Sequence, residues 1–187
     1  MCPSSAEAKF GPRIRRATID DAAAIADLLI TAWRVAYRGI VPDSHLAALS
    51  QEERTEHLRQ SFRVGDRDTY LGESGSQLLG FVTIGPSRDS DVDPAQIGEI
   101  RGIYLVPEHW RQGIGTYLLS HGQRILRCRG YIEATLWVLA ANEQARKFYE
   151  ARGFQTDGAQ KELPLGIVLR AVRYRKKLPD SDLYSDP

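Results

Sequence analysis

The apolar positions of the 187-residue chain change their period several times along its length. Residues 13–18 alternate, with Ile14 facing inward, and read as a first strand. From residue 20 to 37, Ala24, Leu28, Ala32 and Tyr37, with Ile25, Leu29 and Trp33, recur at near-helical spacing. A Thr18–Asp21 capping box opens this helix, and Gly39 and Pro42 break it. A second helix follows, with Leu46 and Leu49 early, a Ser50–Glu53 capping box, and Leu58 and Phe62 one turn apart. After a turn at 65–68, residues 70–73 and 78–84 are short strands joined by the hairpin signal Ser74-Gly75-Ser76. Residues 85–96, rich in Gly, Pro and Asp, form a loop, and 97–106 is the clearest strand, ended by Pro107. A helix is predicted over 114–129, a buried strand over 132–139, and a helix over 142–152 stopped by Gly153. One or two closing strands lie within 165–178. Residues 1–12 read as a loose arm and 179–187 as a frayed acidic tail.

This order places a mixed sheet under packed helices, in the α/β to α+β range, as one domain over residues 13–178. Composition narrows the function. Apolar residues at 42% and charged residues at 26% are globular values, which excludes a disordered chain. Lys plus Arg is 25 and Asp plus Glu 24, so the net charge of +1 argues against a nucleic-acid binder. No apolar run approaches the ~20 residues of a membrane span, and the N-terminus lacks the apolar core of a secretory signal. Cys2 and Cys128 make neither a disulfide framework nor a zinc cage, and suit a reducing cytoplasm. The histidines at 45, 57, 109 and 121 have no metal-ligand spacing, so no metal is expected.

The segment richest in chemistry is Trp110-Arg111-Gln112-Gly113-Ile114-Gly115-Thr116, where a strand ends and two glycines open a helix. The first helical turn presents unpaired N–H groups and a positive dipole end, and glycines let an anion approach them. Arg111 adds a charge and Thr116 a hydroxyl. Taken alone, Gly-x-Gly fits a tight turn equally well. A P-loop is excluded because no Gly-Lys-Ser/Thr follows. A dinucleotide fingerprint is excluded because Leu118 stands where its third glycine belongs.

At this point the chain resembles the GNAT superfamily of acyl-CoA-dependent N-acetyltransferases, whose pyrophosphate loop reads Arg/Gln-x-x-Gly-x-Gly/Ala. Trp110 departs from the first position of that loop. The segment 98–107 is similar to the family's preceding strand. Leu136-Trp137-Val138, Asn142, Ala145, Phe148-Tyr149 and Gly153-Phe154 are similar to its closing motif. The resemblance implies a mixed, mostly antiparallel sheet splayed between two parallel strands, here those ending near Val106 and Val138, with helices on both faces. It implies that acetyl-CoA lies in the splay. Its pantetheine arm would run along Ile103, Tyr104, Leu105 and Val106. Its pyrophosphate would sit on the amides of Gln112, Gly113, Ile114, Gly115 and Thr116, beside Arg111. A strand bulge would free an N–H for the thioester oxygen. Asn142 would bond the pantetheine arm or cap its helix. Tyr149 matches the tyrosine that protonates the departing thiolate. Glu99 matches a position where many relatives carry an acid, and is the candidate general base. It reads equally as a surface carboxylate paired with Arg101.

For the amine acceptor, Trp33, Tyr37 and Tyr104 are candidate pocket walls, although Trp33 and Tyr37 also fit as ordinary core one helical turn apart. Asp89, Asp91 and Asp93 read as a solvated acidic loop. Two functions remain: an acetyltransferase for the amine of a small molecule or peptide, or a non-catalytic acyl-CoA-binding regulator on the same fold. A homodimer is compatible with either.

Overall fold

The computed structural model describes residues 12–179. The expected arm over 1–12, with Cys2, and the tail over 179–187 lie outside this range except for Pro12 and Pro179. The chain runs β1 (Arg13–Arg16), α1 (Ala22–Ala36), α2 (Asp43–Ala47), α3 (Gln51–Val64), β2 (Asp68–Ser74), β3 (Gln77–Pro86) and β4 (Ile97–Leu105). It continues through α4 (Ile114–Cys128), β5 (Glu133–Leu139), α5 (Glu143–Glu150), β6 (Gln155–Pro164) and β7 (Val168–Lys177). The seven strands form one sheet in the order β1-β2-β3-β4-β5-β7-β6. Every neighbouring pair is antiparallel except β4 and β5.

Strand alternation sends successive side chains to opposite faces, so each face needs its own helices. Leu118, Leu119 and Leu126 of α4 pack on Val82, Ile84, Ile100, Leu136 and Val138. Ile25, Leu28, Leu29 and Ala32 of α1 pack on Leu71 and Phe81 from the other side. The Thr18–Asp21 capping box forms, around a single 3-10 turn at Ile19–Asp21 that leads into α1.

Three expectations change. The second helix is two helices, because the chain turns extended at Ser50 (φ −90°, ψ 125°), whose Oγ accepts from the Glu53 amide at 3.2 Å. The closing strands begin ten residues early, with β6 over Gln155–Pro164. This strand forms the sheet edge and is largely exposed, so it has no buried face to write alternation into its sequence. The acidic loop is exposed at Asp91 and Asp93, as expected, but it is also tied to the sheet. Arg173 of β7, only 4% exposed, bonds Asp89, Asp91 and Asp157 at 3.2, 2.6 and 2.7 Å. Asp89 also accepts from the Trp137 indole at 3.0 Å. Asp93 is used locally, its carboxylate accepting from the Ala95 amide.

The parallel pair is short. β4 and β5 are in register only at Ile97–Glu133, Gly98–Ala134 and Glu99–Thr135, and then part. On its other side β4 stays paired with β3, but the register skips one residue, leaving Arg101 as a bulge between Ile100 and Gly102.

Candidate active site

A cleft of about 930 Å³ opens where β4 and β5 part. One wall is the stretch of β4 from Arg101 to Leu105, whose edge toward β5 has no strand partner. Such an edge offers main-chain N–H and C=O groups to an extended ligand. Trp137 and Val138 of β5 form the facing wall, and Trp33 and Tyr37 of α1 and Phe148 and Tyr149 of α5 also line the space.

The glycine loop forms one end. Trp110 does not replace the usual Arg or Gln as an anion contact. Its indole N–H donates to the Leu105 carbonyl at 3.2 Å and pins the loop to the end of β4. Arg111 (φ 61°) and Gly113 (φ 85°) are both left-handed, and Arg111 is the one non-glycine residue with positive φ among those described. Such backbone turns successive amides toward one side, the geometry of an anion nest. None of the amides of residues 111–116 donates to a protein acceptor among the described residues, and the first bond of α4 runs from the Tyr117 amide to the Gly113 carbonyl. The Thr116 hydroxyl accepts from Arg152 Nε at 3.0 Å, and the same guanidinium lies over the Phe148 ring, 3.8 Å from its centroid.

The two glycines serve different purposes. A Cβ on Gly113 would meet nothing within 4 Å, so its φ is what requires glycine. A Cβ on Gly115 would sit 3.1 Å from Leu105 and 3.3 Å from Phe148, so its requirement is close packing inside the protein.

Tyr149 is 8% exposed, edge-on to Phe148 and Phe154. Burial pushes its phenol well above the ordinary tyrosine value, with the nearby Tyr104 phenol adding to the effect. Burial and Tyr104 raise Tyr37 in the same way, so three phenols share this part of the cleft. Asn142 caps α5, its carbonyl oxygen accepting from the Ala145 amide at 3.1 Å, and also lines the cleft. The Trp33 ring stands edge-on to Tyr37 at 5.0 Å.

Four expected residues are not on the cleft wall. Val106 donates its amide to Leu79, Ile114 is buried in the core, and the Gln112 side chain turns back to the Glu108 carbonyl at 3.0 Å. Gln112 and Ile114 thus offer main-chain amides only. Glu99 is 2% exposed, and its pairing with Arg101 does not form. Its carboxylate takes Arg88 Nε and Nη2 at 2.9 and 2.6 Å, while Arg101 pairs with Asp66 at 2.6 Å. The bulge turns Arg101 out of the alternation on which the expected pairing relied.

Sequence reasoning missed Arg88, Arg101, Trp137, Arg152 and Lys161, all of which line the cleft. Trp137 and Arg152 lay within or beside recognisable motif positions. Lys161 carried no signal, because the strand that holds it is mostly polar, with Ala159 and Leu163 as its apolar side chains apart from Pro164. Its ammonium stands 4.0 Å from the Trp137 ring centroid.

Among the described residues no cluster of three or more His, Cys, Asp or Glu side chains is placed to hold a metal ion. No helix among them is long and apolar enough to cross a membrane.

Comparison with known proteins agrees with this geometry. Residues 25–154 match the model of the acetyltransferase (GNAT) family. An uncharacterized N-acetyltransferase of Bacillus subtilis, YuaI, is 32% identical over 143 residues, which is 74% of this chain and 77% of that protein. A spermidine N(1)-acetyltransferase of Thermoplasma acidophilum is 25% identical over 154 residues, covering 78% of this chain and 91% of the relative. The crystal structure of the PaiA N-acetyltransferase from the same organism, in complex with coenzyme A, has the same fold, with a TM-score of 0.69. It is 23% identical and covers 88% of this chain and 98% of its own.

Proposed function

The chain belongs to the acetyltransferase (GNAT) family, and from that premise we propose that it moves the acetyl group of acetyl-CoA to a primary amine by direct attack in a ternary complex. The observation that carries this reading is the parting of β4 from β5, which leaves a strand edge without a strand partner running into six amides that have no acceptor among the described residues. The coenzyme A bound in the Thermoplasma structure supports it, as does the amine acceptor named for the Thermoplasma relative.

The edge at Ile103, Tyr104 and Leu105 fits an extended pantetheine arm, and the Asn142 side-chain N–H₂, which has no partner among the described residues, is a further donor on the cleft wall. The amides of Gln112 to Thr116, with Arg111 and Arg152, suit the pyrophosphate. When bound, acetyl-CoA supplies a thioester carbon open to nucleophilic attack. A neutral amine would form the new C–N bond, and an N–H at the Arg101 bulge would be the donor to the oxygen as it gains negative charge. The C–S bond breaks, and the Tyr149 hydroxyl gives its proton to the departing sulfur. Solvent takes the proton lost by the amine and returns one to the Tyr149 oxygen. A phenol held far above its ordinary pKa stays protonated at neutral pH, as a donor must.

We assign Glu99 a positioning role rather than that of base. Its carboxylate lies off the cleft wall, is engaged at two points by the Arg88 guanidinium, and fixes Arg88 on that wall. Glu99→Gln should raise the acceptor KM and leave the acid limb of the kcat/KM profile in place. Loss of that limb with an unchanged KM would return Glu99 to the base role.

Thiol release from acetyl-CoA with a panel of amines tests the whole reading, and turnover is expected. Tyr149→Phe should lower kcat roughly 100-fold, the usual weight of a positioned acid, with unchanged acetyl-CoA affinity. Tight acetyl-CoA binding without thiol release for any amine would instead make the chain a non-catalytic acyl-CoA-binding protein.

A further inference from the structure

Among the described residues six cationic side chains line the cleft, Arg88, Arg101, Arg111, Lys147, Arg152 and Lys161, and no Asp or Glu does. They divide by face of the sheet. Arg111 belongs to the glycine loop, and Lys147 and Arg152 lie in and just after α5, on the side of Leu136 and Val138. Alternation along β5 puts Trp137 on the opposite face, and Lys161 lies against its ring. Arg88 pairs with Glu99 and Arg101 with Asp66 beside the α3–β2 turn, on that same α1 side. One trio thus faces the phosphates of the proposed cosubstrate, and the other faces the space left for the acceptor.

On that second side the positive charge is not fully met. Glu99 and Asp66 are each committed to an arginine. Lys161 makes no ion pair among the described residues. Asp89, the carboxylate that most raises its pKa, is already held by Arg173 and the Trp137 indole. Burial lowers the Lys161 pKa, a sign of an ammonium short of a counter-charge. Beside it, Trp33, Trp137, Leu163 and Leu165 form one apolar cluster against Leu139 and Ala171.

We propose that the acceptor is a small primary amine carrying an anionic group, a carboxylate or a phosphoryl, which Lys161 receives between Arg88 and the Trp137 ring. This names the substrate class and rests on the acetyltransferase reading. The apolar cluster takes the hydrocarbon part of such a molecule. The surrounding cations also hold the acceptor amine toward its neutral, nucleophilic form, so the site needs no dedicated base. A polyamine or basic peptide finds no carboxylate on these walls, and its second charge is repelled.

The test is steady-state kinetics with α-amino acids, their carboxamides, aminoalkylphosphonates and spermidine. At least one carboxylate- or phosphonate-bearing amine should exceed its uncharged counterpart in kcat/KM by roughly tenfold, the effect of one charged hydrogen bond. Lys161→Gln, with Lys161→Met as the variant that keeps the packing on Trp137, should remove that preference through the acceptor KM. The acetyl-CoA KM should not move. Carboxylates and phosphonates are then told apart by which arm shows the preference. Equal or better turnover of spermidine or the carboxamides, or a preference untouched in both Lys161 variants, overturns the proposal while leaving acetyl transfer standing. No transfer to any amine, with acetyl-CoA still bound, overturns the transfer reading and this one with it.

Discussion

Gly113 and Gly115 stand two residues apart in one motif, yet the physical demand on each is different, and substitutions should separate them. Alanine at Gly113 must hold a left-handed φ of 85° and puts its methyl into open space above the amides. The backbone strain is about 1 kcal/mol. Gly113→Ala should therefore lower Tm slightly and weaken acetyl-CoA binding strongly. Gly115→Val crowds Leu105 and Phe148 and should lower Tm by several degrees, as overpacking of ~1–3 kcal/mol does. Calorimetric titration and thermal melts of the two variants check this, and the reverse ranking would show the two roles misassigned. Asp21 makes a second case at this scale. Both of its oxygens accept from Arg15, at 2.7 and 2.8 Å, and the Thr18 amide adds another bond, which together hold its carboxyl down to about 2. A pKa depressed in the folded state stabilises above the unfolded value near 3.9 and loses that stability as pH falls toward 2. Asp21→Asn should cost on the order of 1–2 kcal/mol at pH 7, and its Tm deficit should close progressively between pH 4 and about 2. A deficit that stays constant over that range would put the interaction elsewhere.

Among the elements, the legible ones are those with one buried face. α1 and α4 each write an apolar stripe into the sequence, and β4 and β5 write short buried runs. β6 writes only a faint pattern, because none of its residues is fully buried: Ala159, Lys161 and Leu163 on one side are half-buried, the rest are exposed, and its pairing is main-chain hydrogen bonding to β7. Whether α2 and α3 are joined or separate turns on one residue, since helical period alone does not say where a helix restarts. Ser50 decides it by capping α3. Ser50→Ala should cost about 1 kcal/mol, the usual value of a lost N-cap, seen as a lower urea midpoint with an unchanged m-value. An unchanged midpoint would mean that tertiary packing of α3 sets its start.

For the whole molecule, the near balance of charge conceals a separation. Cations line the cleft, and the carboxylates near it are paired behind its walls. Arg173 organises much of this, tying β6 and the loop over residues 87–96 to β7 through Asp157, Asp89 and Asp91. Replacing it leaves three carboxylates without their shared cation, and breaking a buried pair in this way typically costs about 3–5 kcal/mol. Arg173→Leu should therefore lower stability strongly and speed hydrogen exchange over residues 87–96. It should also raise the acceptor KM, because Arg88 rides on that loop. Fast exchange without a change in KM would detach Arg88 from acceptor binding. Features that depend on a few adjacent residues were readable directly from the chain. They include the glycine loop, the Asn142 and Ser50 caps, and the Phe148-Tyr149 pair. Their physics is local: a φ requirement, an N-cap or a helical repeat lies within one or two turns of backbone. The cleft's charge was not readable. Arg173 and Asp89 lie 84 positions apart, and Lys161 meets Trp137 only because β6 and β5 flank the same strand. Which charges are paired and which face a ligand is set by strand order and burial, and only the assembled sheet supplies those.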